Sequence, residues 1–371
     1  MKFNKIIVEK KLKNHPAVKA AIKTFPDVPV IFQSNPTEFY RKPPEEISAS
    51  KKILVLASQP GKFLTPCPGA KNYICCHYQV IENATNCPFD CSYCYLQSYL
   101  NRPYLYFYLN EKKMFRELAK FLKKNSKKYW RLGTGEFADS LALDRYLRLS
   151  EKLILFFAKQ KNSLLELKTK SAQIKHLLKL PHNGRTVLAW SLNPPEIIET
   201  EEKGCASLER RLKAAAAAAA ASYPVAFHFD PIIYFSGWVK AYKRLVEKIY
   251  SFVQPGQLAW ISLGTLRFVP AFKEIFKKRF PEKSLLLEEF ITGPDGKIRY
   301  FKPLRIKMYQ NLLKNIRHYD KKTLVYLCME SPQIWGKIFA DREKIISKGS
   351  PYRKYFNFQL LAGNGHGNQT D

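Results

Sequence analysis

The sequence predicts an α/β protein built as a partial (β/α)6-type TIM barrel, and three observations carry that expectation. Short apolar runs alternate with amphipathic, helix-length segments between about residues 78 and 263. Each run ends in a polar or glycine-rich cluster, and six such units can be counted where a closed barrel needs eight. Strands separated by helix-length segments read as βαβ units on a parallel sheet. Six units favour an open barrel, with a doubly wound sheet as the rival architecture.

Taken in order, residues 1–75 form an N-terminal extension of charged helical pieces and a Pro-containing stretch at 39–44, with a short buried strand at 52–57. Residues 76–270 form the barrel core. Its strands are predicted at 78–82, 130–132, 164–168, 186–192, 225–229 and 258–263, and its intervening helices include 111–125, 141–159 and 239–252. An eight-alanine run at 214–221 predicts helix and implies no chemistry. Residues 271–371 form a C-terminal segment in which Gly293-Pro-Asp-Gly296 between apolar flanks predicts a hairpin over 291–304. The last nine residues, glycine-rich and polar, are expected to fray.

With 371 residues, 46% of them apolar and 14% aromatic, the chain can bury a sizeable core, so a disordered reading fails. The N-terminus alternates charges with apolar residues, unlike a signal peptide. The longest nearly apolar run, 214–227, contains Ser222 and Pro224 and is too short to span a bilayer. A cytoplasmic protein with no membrane partner is expected.

Six of the eight cysteines fall between Cys67 and Cys94, while Cys205 and Cys328 stand alone. Clustered thiols in a reducing compartment read first as metal or redox ligands. Cys87, Cys91 and Cys94 have C-x3-C-x2-C spacing directly after the first predicted barrel strand. Three thiolates on one short loop can each bind an iron of a 4Fe-4S cluster, leaving the fourth iron open to a small molecule. A zinc site is the alternative and needs a fourth ligand, which Cys75, Cys76 or His77 could supply. Cys67, Cys75, Cys76 and His77 could form a second metal site, but they match no ferredoxin or zinc spacing, and the three thiols read as structural or incidental.

This loop, at the head of a β/α series, resembles the radical S-adenosylmethionine superfamily. The resemblance narrows with Cys91-Ser-Tyr-Cys-Tyr-Leu-Gln97, Arg102-Pro-Tyr104, Thr169-Lys170, Pro181-His-Asn-Gly184, Ser191-Leu-Asn193, Tyr223-Pro224 and Gly237-Trp238. In that order they are similar to the spore photoproduct lyase family, over roughly residues 65–270. The resemblance implies a radical SAM partial barrel with S-adenosyl-L-methionine on the open iron. Reductive cleavage of that cofactor would give a 5′-deoxyadenosyl radical for hydrogen abstraction, on a DNA lesion or another nucleic-acid substrate. It also implies an external electron donor such as flavodoxin or ferredoxin.

Carried over residue by residue, the resemblance makes Tyr93 and Tyr95 radical-relay tyrosines, although two aromatics packed around a cluster would look the same. It sets Lys170 near the cofactor carboxylate and Ser191 and Asn193 within hydrogen-bond reach of the cofactor. Gly135 and Glu136, in the segment after the second strand, would face its amino group. In one respect the chain departs from the family. Where the family carries a cysteine hydrogen donor, residues 134–140 have none, and Cys205 is either a substitute or a buried structural thiol. His228 and Asp230, at the end of the fifth strand, are substrate-contact candidates, or His228 is a satisfied core histidine.

A net charge of +31 calls for a polyanion or for general surface adaptation. Basic residues at Lys10, Lys11 and Lys13, at Lys123, Lys124, Lys127 and Lys128, and at Lys277, Lys278 and Arg279 suggest a broad basic surface for nucleic acid. Two alternatives remain open: a nucleic-acid-binding protein with a structural cluster or zinc, and a radical enzyme acting on a substrate that is not nucleic acid.

Overall fold

The strands of the main sheet follow one another in space as they do along the chain. The computed structural model describes residues 2–36, 43–339 and 350–360. Its eight-stranded sheet runs Leu64–Pro66, Gln79–Ile81, Trp130–Gly133, Ser163–Thr169, Thr186–Ser191, Val225–Ile232, Leu258–Thr265 and Leu324–Leu327. Every strand from Gln79–Ile81 onward is parallel to its neighbours, and Leu64–Pro66 caps the edge antiparallel. A doubly wound sheet reverses strand order at a switch point. No reversal occurs here, so the order is that of a partial barrel, opened between its two end strands.

The six predicted strands are present, and a seventh parallel strand extends them: Leu324–Leu327, registered against the sixth from Trp260↔Leu324 to Leu263↔Leu327. It escapes periodicity because a hairpin and two helices, Phe272–Arg279 and Lys302–Tyr319, separate it from its neighbour. Thr186–Ser191 and Leu258–Thr265 are buried at every position. Parallel strands covered on both faces read as continuous apolar runs, which is why they were legible. Helices Glu111–Lys124, Leu208–Ala220 and Trp238–Phe252 return the chain between strands. Leu208–Ala220 contains most of the alanine run and turns Ala214, Ala215 and Ala218 inward. The helix expected over 141–159 is broken into Asp144–Leu147 and Leu149–Phe157 by Arg148, whose φ is 52°.

A second sheet holds the loop of interest at both ends. Its order is Val30–Gln33, Lys5–Glu9, Ile53–Ala57, Leu105–Tyr108 and Ala84–Thr85. The cysteine loop is therefore strung between the last two of these strands, with only the short helix Leu96–Tyr99 beyond it. Tyr106 and Tyr108 are buried in this sheet with their rings 6.5 Å apart, so they pack the core and offer no platform for bases. The predicted hairpin forms from Phe290–Thr292 and Ile298–Tyr300, with Gly296 at φ 73° in the turn. The tail expected to fray lies outside the described residues, as does most of the 39–44 stretch. Among the described residues no helix is long and apolar enough to cross a membrane.

Candidate active site at the carboxyl ends of the strands

Cys87, Cys91 and Cys94 line one cavity of about 280 Å3, just below the usual range for small-molecule sites. The cavity opens at the carboxyl ends of the parallel strands, where Gly135, Glu136, Lys168, Lys170, Ser191, His228 and Asp230 also line it. Parallel β/α folds bind ligands at this end.

The cysteine loop is shaped by neighbours far away in sequence. Asp90 and Cys91 pair antiparallel with Glu202 and Lys203. Lys51 Nζ donates to the Phe89 carbonyl at 2.6 Å and to Asp90 Oδ1 at 2.9 Å. Arg279 donates to both Asp90 oxygens at 2.9 Å, and the Ser48 hydroxyl donates to Asp90 Oδ2 at 2.6 Å. Burial alone would raise the Asp90 carboxyl, but Lys51 and Arg279 hold it well below the usual carboxylate range. Burial pushes the Cys87 and Cys94 thiols up, whereas the contact with Cys205 holds Cys91 down. Among the described residues no three His, Cys, Asp or Glu side chains converge on a single ion position. Thiolates that each take a separate iron of a cluster do not need to converge, so the loop fits a cluster better than one zinc ion.

Behind the loop, three charges share one buried network. Lys170 Nζ lies 3.0 Å from Glu202 Oε1 and 2.9 Å from the Tyr93 hydroxyl. Arg211 donates to the other Glu202 oxygen, and Tyr93 donates to Glu202 as well. Asn193 Nδ2 reaches Glu202 Oε1 at 3.1 Å, while its Oδ1 accepts from Tyr242 at 2.9 Å. Two cations against one carboxylate leave this wall net positive. Burial would raise Glu202, but Lys170 and Arg211 bring it down to about 2.

On the facing wall, Tyr95 is 40% exposed and its hydroxyl donates to the Glu136 carbonyl at 2.6 Å. Glu136 Oε1 is bound by Lys168 at 2.8 Å, and among the described residues Oε2 has a 3.4 Å contact with Tyr95. Gly135 is dictated by packing: a Cβ there would lie 2.7 Å from Lys168 Cβ. Deeper in, Glu166 accepts from His228 at 2.6 Å and from Arg131 at 3.2 Å. Asp230 takes both terminal nitrogens of Arg267. Lys297, on the hairpin, also lines the cavity; burial and then the nearby Arg267 push its amine below the usual lysine range.

The structure thus brings together Cys87, Cys91, Cys94, Tyr93, Tyr95, Gly135, Glu136, Lys170 and Ser191 around one cavity. Asn193 does not line it; its amide is spent on Glu202 and Tyr242 one layer back. Cys205 lies outside the lining too, its sulfur 3.6 Å from that of Cys91, which suits the structural reading of that thiol. His228 lines the cavity yet is satisfied by Glu166. Sequence reasoning missed Glu202, Arg211, Lys51, Asp90 and Lys168. Of these only Asp90, set between Cys87 and Cys91, carried a local signal.

Two of the proposed basic clusters change meaning. Arg279 is not a surface cation, being spent on Asp90 and Gln97 beneath the loop. Lys123, Lys124, Lys127 and Lys128 are exposed, but they precede strand Trp130–Gly133 and so sit at its amino end, opposite the cavity.

A single-file half-barrel with three thiols on the loop after its first parallel strand defines the radical S-adenosylmethionine class of fold. The family model of spore photoproduct lyase matches residues 47–318, and the chain belongs to that family. It is 29% identical to the spore photoproduct lyase of Bacillus subtilis over 212 residues, 56% of this chain and 62% of that one. The Geobacillus enzyme gives the same figures, so the chain spans about 62% of the length of these two curated relatives. With the Clostridium acetobutylicum spore photoproduct lyase it shares 23% identity over 338 residues, 88% of this chain and 98% of that one. A solved spore photoproduct lyase variant with bound AdoMet and dinucleoside spore photoproduct superposes with a TM-score of 0.76 at 22% identity, covering 88% and 98% of the two chains.

Proposed function

We propose that this chain is a radical S-adenosylmethionine enzyme of the lyase type, acting on a nucleic-acid substrate and, within that class, on a DNA lesion. The observation that carries the reading is the cavity in which three loop thiols face Lys170, Ser191 and Glu136 at the carboxyl ends of the strands. Of the solved relatives it resembles in fold, one holds AdoMet and the dinucleoside spore photoproduct, and another is complexed with the dinucleoside spore photoproduct.

Cys87, Cys91 and Cys94 would hold a 4Fe-4S cluster, and S-adenosylmethionine would occupy the open iron. Together these supply, when bound and reduced, a 5′-deoxyadenosyl radical for hydrogen abstraction. The protein's part is to bind and orient. Lys170, on a wall with one net positive charge, suits the cofactor carboxylate, and Ser191 lines the same cavity. Glu136 offers Oε2 to an ammonium, and Gly135 lines the cavity beside it. Tyr95, open to the cavity, is the accessible member of the tyrosine pair. Tyr93 is held behind it by Glu202 and Lys170.

For the substrate, Arg267 and Lys297 line the cavity on the hairpin side, where a phosphate would relieve their mutual repulsion. An external one-electron donor such as flavodoxin or ferredoxin, and a cytoplasmic location, follow from a cluster that must be reduced.

The test is anaerobic incubation of reconstituted protein with reductant, S-adenosylmethionine and deuterium-labelled oligonucleotides, lesion-bearing or undamaged. Deuterium in 5′-deoxyadenosine from the lesion-bearing strand alone supports the reading. Cofactor cleavage with no deuterium from either strand contradicts the nucleic-acid substrate.

A further inference from the structure

Residues that directly precede the parallel strands lie at their amino ends, on the face opposite the cavity. Lys127 and Lys128 precede Trp130–Gly133, Lys159 and Lys161 precede Ser163–Thr169, and Lys179 and Arg185 precede Thr186–Ser191. Lys321 and Lys322 precede Leu324–Leu327 at the far edge. The loops before Val225–Ile232 and Leu258–Thr265 are uncharged. Across these six loops, 125–129, 158–162, 178–185, 221–224, 253–257 and 320–323, eight cations meet one acid. That acid, Asp320, is buried, and its carboxylate accepts from the Lys322 and Thr323 amides at 2.9 Å.

The first three loops form one continuous surface. Asn162 Nδ2 donates to the Asn125 and Lys128 carbonyls at 3.3 and 3.1 Å, and Asn183 Nδ2 donates to the Ala158 carbonyl at 3.2 Å. Arg185 Nη1 donates to the Tyr355 hydroxyl at 2.7 Å, and the Tyr355 ring lies 5.4 Å from that of Tyr129. Lys354 Nζ sits 4.7 Å over the Tyr129 ring and adds a further cation to the surface. Apart from Arg185 these cations are exposed, and among the described residues none of the lysines makes an ion pair. Helix C-termini also reach this end and favour cations, but only within the last turn. That accounts for Lys123 and Lys124 and not for Lys127, Lys128, Lys161 or Lys179.

We propose that this amino-end face binds the phosphate backbone of nucleic acid without reading its sequence, as a second contact surface apart from the cavity. Lysines of one sign with no acid among them repel one another, and a polyanion relieves that cost. A protein partner fits less well, because lysine is depleted from protein interfaces. Measured across strands about 4.8 Å apart, the six loops span roughly 24 Å, the rise of about seven base pairs. The contacts are exposed and ionic, so counterion release sets both their strength and their salt dependence. Because the two faces point opposite ways, the segment held here differs from the one presented to the cavity. The surface acts whether or not the cavity takes a lesion.

The experiment is a fluorescence-anisotropy titration of an undamaged duplex with the full chain over a range of salt. The Lys127→Gln/Lys128→Gln/Lys159→Gln/Lys161→Gln variant should bind about tenfold more weakly or worse, and its slope of log affinity against log salt should shrink by about three to four. A charge-matched control, Lys10→Gln/Lys13→Gln/Lys19→Gln/Lys23→Gln on the N-terminal extension, should change both much less. All eight of these lysines are exposed, so neither variant disturbs the core. Equal losses in the two variants would reflect net charge alone and overturn the proposal, as would an unchanged slope in the first. Poly-glutamate that displaces the duplex at equal charge would overturn the choice of nucleic acid. Each result leaves the lesion reading to its own test, deuterium transfer in the cavity.

Discussion

Lys170 Nζ and Glu202 Oε1 form a buried ion pair 3.0 Å long that ties the third parallel strand to the segment following the fourth. Arg211 completes it on the other carboxylate oxygen, and neither Glu202 nor Arg211 exposes any side chain. Removing the carboxylate strands two cations in the interior. Glu202→Gln is therefore expected to cost about 3–5 kcal/mol of stability, read by urea unfolding. Lys170→Met, which leaves the Arg211 pair, should cost less. Equal costs would mean that the remaining Arg211 pair contributes nothing, and would contradict the shared network.

Glu166 makes stability depend on acid. Burial would raise its carboxyl, but Arg131 and then His228 bring it from 4.5 to about 2. A depressed carboxylate contributes stability that is complete above its unfolded value and is lost as pH falls toward its folded one. Between pH 4.5 and about 2 the wild type should lose on the order of 3 kcal/mol through this group. Glu166→Gln should be less stable at pH 6 and show a shallower acid slope. Parallel slopes for the two proteins would contradict the assignment.

Asp90 acts on the cluster loop by position. It receives Lys51, Ser48 and Arg279 while lying between two of the three cysteines. Groups that orient metal ligands typically contribute a factor of roughly 10–100 in metal affinity. Asp90→Asn should accordingly lose iron faster to a chelator by about that factor, with far-UV circular dichroism unchanged. A chelation rate equal to the wild type would leave Asp90 a purely structural anchor.

Lys297 lines the cavity beside Arg267, on a hairpin that reaches it from outside the barrel. If it meets a phosphate, Lys297→Ala should weaken oligonucleotide binding uniformly across sequences. The slope of log affinity against log salt should shrink by about one. An unchanged slope would direct attention to other cations.

What was legible in the sequence was local. The spacing of Cys87, Cys91 and Cys94 lies within eight positions, and fully buried parallel strands announce themselves as apolar runs. The contacts that shape the site are not local. Arg279 reaches Asp90 across 189 positions, and Cys328 lines one cavity with Cys76 and Cys67 although more than 250 positions separate them. The strand Leu324–Leu327 was hidden for the same reason, separated from its neighbour by a hairpin and helices. Charge counting ignores topology: Lys123, Lys124, Lys127 and Lys128 precede a strand and so lie at its amino end, away from the cavity.

The central claim is that three thiolates leave one iron free for S-adenosylmethionine, and electron–nuclear double resonance addresses it directly. The air-free, reduced protein is mixed with cofactor carrying nitrogen-15 in its amino group. Coupling between that nucleus and the cluster spin is the predicted result. A fully reconstituted cluster that shows no coupling at saturating cofactor would contradict the account.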